Sequence, residues 1–162
     1  MPVRLYTDGA CSKNPGPGGW AVVCCAPDNV KTFCGGSSNT TNNEMELTAI
    51  SSALDVVSGL YDQDGMERYG FEVLSDSAYV VNAINSQWVN KWSKCGWLTT
   101  KGDPVKNREL WEHVLYMVNK FKKEKVNVRF TKVRGHSGNQ FNEMADGIAK
   151  DQARAYGSSK PK

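Results

Sequence analysis

Two aspartates in this sequence stand where cation-binding chemistry is common. Asp8 and Asp76 each directly follow a short run of residues with the pattern of a β-strand. Ligand sites of α/β proteins gather at the carboxyl ends of strands, so parallel neighbours would bring both carboxylates to one sheet edge. Like charges held together repel each other and attract cations. Taken singly, each residue has an ordinary alternative, Asp8 as a turn former and Asp76 as a helix cap.

Two further acids lie on predicted helices. Glu46 precedes apolar residues by three, four and seven positions, so its side chain shares a helix face with them. Burial of an unpaired carboxylate costs several kcal/mol, and such a residue is therefore paired with a cation, shifted in pKa or bound to a metal. A salt bridge to a basic residue stays open as the ordinary alternative. Asp146 lies beside Ala145 in the last predicted helix.

One of the two histidines has the surroundings of a proton carrier. His136 lies in a glycine-containing turn, residues 135–138, before the last predicted helix. Its imidazole is expected to titrate near neutral pH. His113 falls within a predicted amphipathic helix, where a structural role is the usual one. The sequence therefore offers four carboxylates and one histidine for acid–base or metal chemistry.

A regular order of predicted strands and helices positions these candidates. Alternating side chains and turn residues predict strands at residues 3–8, 20–25, 30–34, 71–74 and 126–130. Helical spacing of apolar residues predicts helices at about residues 45–57, 79–84, 107–121 and 141–156. The first three strands form an antiparallel meander, and the later ones are separated by helices of the kind that parallel pairs need as crossovers. We therefore expect a single-domain α/β fold, a five-stranded mixed sheet flanked by helices.

Charge is unevenly distributed along the chain. Residues 1–85 contain 4 lysines and arginines against 10 acids, whereas residues 86–135 contain 12 against 4. The basic segment has the composition of a polyanion-binding surface, with solvated basic helix faces as the alternative. Within it, three tryptophans are interleaved with two lysines: Trp88, Lys91, Trp92, Lys94 and Trp97.

Composition argues against a secreted or membrane protein. The five cysteines are odd in number and form no C-x-x-C pair, which predicts reduced thiols rather than disulfides or structural zinc. No apolar stretch of signal-peptide or membrane-span length occurs. We therefore expect a cytoplasmic protein with no membrane partner. We also expect a monomer, and the start at Met1 favours a free-standing chain.

Four sequence blocks surround the candidate carboxylates. They contain, in order, Thr7-Asp8-Gly9, Thr41-Asn42-Asn43-Glu44-Met45-Glu46, Ser75-Asp76-Ser77 and Gly135-His136-Ser137-Gly138 with Asp146. With these blocks the chain resembles the type I ribonucleases H across nearly its whole length. The resemblance implies a ribonuclease H-like fold, with residues 1–156 as the catalytic domain and residues 157–162 as a flexible tail.

The resemblance also implies an activity and a cofactor. The expected enzyme is an endoribonuclease that hydrolyses the RNA strand of RNA/DNA hybrids and leaves 5′-phosphate and 3′-hydroxyl ends. It uses two Mg²⁺ ions, with Mn²⁺ as the alternative. By resemblance their ligands are Asp8, Glu46, Asp76 and Asp146. His136 corresponds to the family's mobile histidine, which assists proton transfer or product release.

A set of substrate contacts follows from the same resemblance: Cys11, Asn14, Thr41, Asn42, Asn43, Trp88, Lys91, Trp92 and Lys94. The first five correspond to positions that contact RNA 2′-hydroxyls or seat a DNA phosphate, and the others to a basic protrusion along the DNA backbone. Tryptophans buried against the core are the alternative, and both can hold. Ala78 replaces a glutamine of many relatives, and Ser93 and Cys95 replace basic residues. We therefore expect weak, salt-sensitive hybrid binding.

Two other functions remain open. One is another two-metal nuclease or strand-transfer enzyme of the same fold, which the motifs at residues 41–43 and 135–138 disfavour. The other is a non-catalytic hybrid-binding module, which the presence of all four carboxylates disfavours.

Overall fold

Five strands and five helices make up the part of the chain that the computed structural model describes, residues 2–62, 69–133 and 139–158. Their bounds in chain order are β1 Val3–Cys11, β2 Gly16–Ala26, β3 Asn29–Thr40, α1 Asn42–Tyr61, β4 Phe71–Ser75, α2 Ala78–Asn85, α3 Trp88–Lys94, α4 Arg108–Lys123, β5 Val128–Lys132 and α5 Gln140–Ser158. None of the described helices is long and apolar enough to cross a membrane.

The strands form one mixed sheet in the order β3-β2-β1-β4-β5. Pairing is antiparallel between β1 and β2 and between β2 and β3, and parallel between β1 and β4 and between β4 and β5. Tight turns join the antiparallel strands, whereas helices cross over between the parallel ones. The predicted single-domain α/β fold with a five-stranded mixed sheet is confirmed.

The first three strands are longer than the sequence pattern predicts. β1 continues to Cys11 and β2 begins at Gly16, so a loop of four residues replaces the predicted turn-rich segment 12–19. β3 continues to Thr40 because its backbone stays paired with β2 through Gly35 and Gly36. Glycine has a low strand propensity, and here backbone pairing with a long neighbour outweighs it.

Two C-terminal elements are also displaced from their predicted bounds. β5 covers Val128–Lys132 rather than residues 126–130, because its register is set by pairing with β4. α5 continues through Ser158, two residues beyond the predicted helix end. Residues 159–162 of the predicted tail lie outside the described residues.

One face of the sheet is covered by α1, against which α4 packs, and the other face is covered by α5. α1 buries one face against β1 and β2, with the residues Met45, Glu46, Leu47, Ala49, Ile50, Ser51, Ala53, Leu54 and Val57. α5 lies close to β2, since a β-carbon on Gly19 would overlap the backbone of Ala149 and Ala153. The first turns of α1 and α5 are thereby brought to the same end of the sheet as Asp8.

Candidate active site

Asp8 and Asp76 occupy equivalent positions on neighbouring strands. The last parallel pair between β1 and β4 is Tyr6 with Leu74, and each aspartate lies two residues further along its chain. The hydroxyl of Thr7 donates a hydrogen bond to the Leu74 carbonyl at 2.8 Å, which ties the strands together just before both aspartates. The register therefore places the two carboxylates side by side.

The predicted end of β1 at Asp8 was wrong. β1 continues for three residues beyond Asp8 because its antiparallel partner β2 pairs with it as far as Cys11. What ends near Asp8 is the parallel pairing with β4. Asp8 is only 7 % exposed, and its carboxylate accepts a hydrogen bond of 2.9 Å from the Gly9 amide. Asp8 is therefore a buried strand residue rather than a turn former.

The helix-cap alternative for Asp76 is excluded by the start of α2. The N-cap is Ser77, whose hydroxyl accepts a hydrogen bond from the Val80 amide at 3.3 Å. The hydroxyl of Ser75 in turn accepts from the Ser77 amide at 3.1 Å. The helix-cap alternative for Asp76 was therefore wrong, and its exposed carboxylate lies beside Asp8 instead.

Glu46 reaches the same place from α1. The helix begins after Thr41, whose hydroxyl accepts from the Glu44 amide at 3.2 Å. A β-carbon on Gly9 would overlap the backbone of Met45 and Glu46, so only glycine permits this approach of α1 to β1. Glu46 is 8 % exposed, and the close packing directs it towards Asp8.

The salt-bridge alternative for Glu46 is wrong for the part of the chain that the structure describes. No ion pair there includes Glu46, and its buried Oε2 has no hydrogen-bond partner. Each of Asp8, Glu46 and Asp76 offers an oxygen within 4.8 Å of the others. We call these three side chains the carboxylate cluster. Closely spaced hard oxygens with one orphaned atom fit a divalent metal ion such as Mg²⁺ or Mn²⁺.

Electrostatics in the carboxylate cluster favour protonation when no cation is present. Burial, followed by the negative charge of Asp8, raises the pKa of Glu46 far above its ordinary value. Burial, followed by the charge of Asp76 and a hydrogen bond with Asp146, raises the pKa of Asp8. A metal ion would reverse this preference by compensating the charges.

Asp146 joins the site from α5. It shares a hydrogen bond with Asp8 and forms an ion pair with Lys150 at 3.0 Å. The start of α5 is held by the Asn139 carboxamide oxygen, which accepts from the amides of Phe141 and Asn142 at 2.9 and 3.1 Å. The structure thus brings all four predicted carboxylates together, with Asp146 next to Asp8 at the margin of the cluster.

His136 lies outside the described residues. The chain on either side of it is fixed near the site. The Val133 amide donates to the Ser75 carbonyl at 2.9 Å, and the Asn139 amide group donates to the Tyr6 hydroxyl at 3.5 Å. The described residues on either side, Val133 and Asn139, are thus hydrogen-bonded to Ser75 and Tyr6, which lie one and two residues before Asp76 and Asp8.

Eight predicted substrate residues line two adjoining cavities. The first, of about 840 Å³, is lined among others by Asn14, Thr41, Asn42 and Asn43. The second, of about 780 Å³, is lined among others by Trp88, Lys91, Trp92 and Lys94. The two share Tyr79, Trp92 and Thr99 as lining residues. We call them together the groove. Its two ends, predicted from distant sequence blocks, thus form one surface.

The hydrogen bonds of the loop 12–15 organise the first cavity. The carboxamide oxygen of Asn14 accepts a 3.1 Å hydrogen bond from the Asn42 amide, which joins the loop to the start of α1. The thiol of Cys11 contacts the carbonyls of Thr40 at 3.4 Å and Gly16 at 3.5 Å, and Cys11 lines neither cavity. Its side chain thus braces the loop that carries Asn14.

The tryptophans divide between surface and core. Trp88 is 37 % exposed, whereas Trp97 is 8 % exposed. Trp92 lies between these extremes and packs edge-on against the buried Trp111, with ring centroids 5.5 Å apart. Both interpretations of the tryptophans therefore hold: Trp88 lines the groove, and Trp97 is buried in the core.

Several groove residues were not predicted from the sequence. Tyr79, Thr99 and Asn107 line the groove. Tyr79 is exposed and its ring lies 6.1 Å from that of Trp111. Asn107 precedes α4 with a φ of 62°, in the left-handed region that asparagine tolerates better than most residues. The one sequence signal for these residues was the position of Asn107, directly before Arg108 at the predicted start of a helix.

Comparison with known proteins places this arrangement in a family. The family model for RNase H matches residues 1–154. The chain belongs to the RNase H family. A ribonuclease H from Caldicellulosiruptor saccharolyticus is 44 % identical over 152 residues, which cover 94 % of this chain and 96 % of the relative. A ribonuclease H from Ehrlichia chaffeensis is 45 % identical over 150 residues, 93 % of each chain. Family membership assigns ribonuclease H activity, that of an endonuclease.

Solved RNase H structures share the fold. The RNase H domain of Rv2228c from Mycobacterium tuberculosis aligns with a TM-score of 0.73 at 23 % identity and covers 98 % of both chains. LC9-RNase H1, a type 1 RNase H with the type 2 active-site motif, aligns with a TM-score of 0.71 at 27 % identity, over 95 % of this chain and 72 % of that one. LC11-RNase H1 in complex with an RNA/DNA hybrid aligns with a TM-score of 0.67 at 22 % identity, over 94 % and 97 %.

Proposed function

We propose that this RNase H hydrolyses the RNA strand of RNA/DNA hybrids with two divalent metal ions, Mg²⁺ with Mn²⁺ as the alternative. The observation that carries the proposal is the buried Oε2 of Glu46, which has no hydrogen-bond partner among the described residues. It belongs to three carboxylates whose oxygens lie within 4.8 Å of one another. Uncompensated buried charge is strongly unfavourable, and a bound cation removes that cost.

The residues that would hold the metal are Asp8, Glu46, Asp76 and Asp146. When bound, the ions would supply an activated water and charge stabilisation at the leaving 3′-oxygen, so that the products carry 5′-phosphate and 3′-hydroxyl ends. Asp8 occupies the centre, since its carboxylate interacts with the other three. Because burial raises the pKa of both Asp8 and Glu46, both side chains must release bound protons before they can act as ligands.

The proposed part of His136 is assistance with proton transfer or product release. Its position in the sequence, between the anchored residues Val133 and Asn139, supports this. General acid–base help contributes roughly 10²–10⁴ in rate. Loss of His136 should therefore cost less than loss of a carboxylate on which the whole site depends.

The groove supports a hybrid as the substrate. Polar groups of Asn14, Asn42 and Asn43 at one end suit 2′-hydroxyls exposed in a wide minor groove, and those of Asn14 and Thr41 suit a phosphate of the DNA strand. Lys91 and Lys94 at the other end suit the phosphates of the DNA strand. LC11-RNase H1, which shares the fold, was solved with an RNA/DNA hybrid bound.

One assay tests the proposal. Labelled RNA/DNA hybrid, duplex RNA and duplex DNA are incubated with the wild-type protein and with Asp8→Asn, each with Mg²⁺ and with EDTA. We expect cutting of the hybrid's RNA strand only, in Mg²⁺ only and by the wild type only. Cutting of duplex DNA would indicate another nuclease of this fold. Hybrid binding without any cutting would indicate a non-catalytic module.

A further inference from the structure

Glu44 is a negative charge within the wall of the groove. It lies in the first turn of α1, three residues after the N-cap Thr41. Its side chain lines the same cavity of about 840 Å³ as Asn14 and Thr41, the end of the groove at which the proposed function seats a phosphate. An acidic residue at this place opposes the binding of a polyanion.

Hydrogen bonds hold the Glu44 carboxylate in the cavity wall. The hydroxyl of Thr40, which is 4 % exposed, donates to the Glu44 Oε1 atom. The Glu44 amide donates to the Thr41 hydroxyl at 3.2 Å, and the Glu44 carbonyl accepts from the Thr48 hydroxyl at 2.6 Å. Backbone and side chain are thus both fixed. The charge cannot easily turn away from a ligand in the cavity.

No basic side chain neutralises Glu44 within the described part of the chain. The ion pairs there involve other acids. Lys106 lines the same cavity but forms no ion pair with Glu44. A phosphate in this cavity would therefore be repelled by Glu44 at the same time as it is bound by the donors around it, Lys106 among them.

The same charge stabilises the fold. α1 has one acidic residue in its first turn, and that residue is Glu44. A negative charge near a helix N-terminus interacts favourably with the helix dipole. Glu44 therefore affects binding and stability in opposite directions, a combination that a purely structural residue does not have.

We propose that Glu44 limits the affinity of this enzyme for the phosphate backbone of the hybrid. The inference rests on the proposed function, because it requires a nucleic-acid phosphate to enter the cavity that Glu44 lines. Replacing the carboxylate by a neutral group should tighten hybrid binding by about three- to tenfold at low salt, the range for one pair of charges a few ångström apart in water. The gain should shrink as salt rises, because ions screen exposed charges.

The test measures binding and stability side by side. Fluorescence anisotropy with a labelled RNA/DNA hybrid in EDTA reports affinity without cleavage, and thermal unfolding reports stability. The variants are Glu44→Gln, Glu44→Ala and the charge-retaining Glu44→Asp. Glu109→Gln is the matched control, because Glu109 is also a first-turn glutamate but does not line the groove.

We expect Glu44→Gln and Glu44→Ala to bind the hybrid more tightly and to melt at a lower temperature than the wild type. Glu44→Asp should keep the wild-type affinity, and Glu109→Gln should change stability alone. In Mg²⁺, KM for the hybrid should fall in the neutral variants while kcat does not rise. Two neutral variants are included so that a folding defect in one still leaves the charge effect measurable in the other.

Unchanged or weaker hybrid binding by the folded neutral variants would overturn the inference while leaving the proposed function intact. Tightening by Glu109→Gln to the same extent would also overturn it, since the effect would then come from net charge alone. Failure of the wild type to bind the hybrid at all would instead refute the proposed function, and the inference with it.

Discussion

The carboxylate cluster and the groove meet at the start of α1 but are built in different ways. The cluster holds three oxygens within 4.8 Å of one another, fixed by strand register and by the close approach of α1 at Gly9. The groove spreads over two cavities of about 840 and 780 Å³ lined by loops and helices. The activity of a compact buried site depends on each of its side chains, whereas the binding energy of an open surface is spread over many contacts. A single substitution should therefore cause a large loss of activity in the cluster and only a modest change of affinity in the groove.

The largest expected effect is the loss of activity in Glu46→Gln. We expect hybrid cleavage in Mg²⁺ to fall by about 10³-fold, the upper end of the loss seen when one charge-stabilising group is removed from an active site. Stability in EDTA at pH 8 should stay nearly equal, because burial raises the pKa of Glu46 to about 9 and its carboxyl is then mostly neutral, as glutamine is. Steady-state cleavage and thermal unfolding measure the two effects. A large loss of stability would show that Glu46 is structural instead.

Gly9→Ala should damage the site through its backbone. A β-carbon on Gly9 would overlap Met45 and Glu46, so α1 must move away from β1. We expect a loss of about 1–3 kcal/mol in unfolding free energy, the usual cost of overpacking, together with a loss of cleavage in the fraction that stays folded. Gly59→Ala is the control, since a β-carbon there meets nothing within 4 Å. Denaturant unfolding and single-turnover cleavage would separate the two losses.

The cluster should make the metal-free protein less stable as pH rises. Burial raises the pKa of Glu46 and of Asp8 above the values of the unfolded chain, so folding takes up protons. This stabilisation is complete below the unfolded pKa values and is lost as pH rises through the raised folded ones. We expect unfolding free energy in EDTA to fall by at least about 1.4 kcal/mol above about pH 5.

The control for this pH effect is Glu46→Gln, in which the fall should be smaller. Mg²⁺ should reduce the fall in the wild type, because the ion compensates the charges that the pH rise creates. If the unfolding free energy depended on pH equally in the wild type and the variant, groups outside the carboxylate cluster would be responsible.

In the groove, single substitutions should have modest effects. Lys91→Gln should raise KM for the hybrid several-fold, leave kcat unchanged and reduce the slope of log affinity against log salt by about 1. Lys31→Gln on β3 is the matched control, because Lys31 lies outside the groove. Affinity at a series of NaCl concentrations measures the slope. A fall in kcat would mean that Lys91 acts on the chemistry and not on binding alone.

The sequence predicted the cluster far better than the groove. Asp8, Asp76 and Glu46 carry local signals, because a strand end or an apolar helix face makes a carboxylate conspicuous. Tyr79 and Thr99 carry none, since each becomes a groove residue only when distant loops and helices meet.

The same contrast explains the boundary errors in the fold. The mixed sheet and its covering helices followed from the hydrophobic periods and the order of strands and helices along the chain. The lengths of β1 and β3 and the Ser77 cap did not, because pairing with β2 and the geometry of one turn decide them. Tertiary contacts set these details, and single-sequence patterns do not contain them.

The most direct test of the metal centre is a calorimetric titration of Mn²⁺ or Mg²⁺ into the protein at pH 7, in two buffers with different ionisation enthalpies. Because Asp8 and Glu46 are expected to hold protons in the absence of a cation, metal binding should release protons. The apparent enthalpy should therefore depend on the buffer, and Glu46→Gln should weaken both binding and release. Binding without proton release that is unaffected by Glu46→Gln would contradict the account.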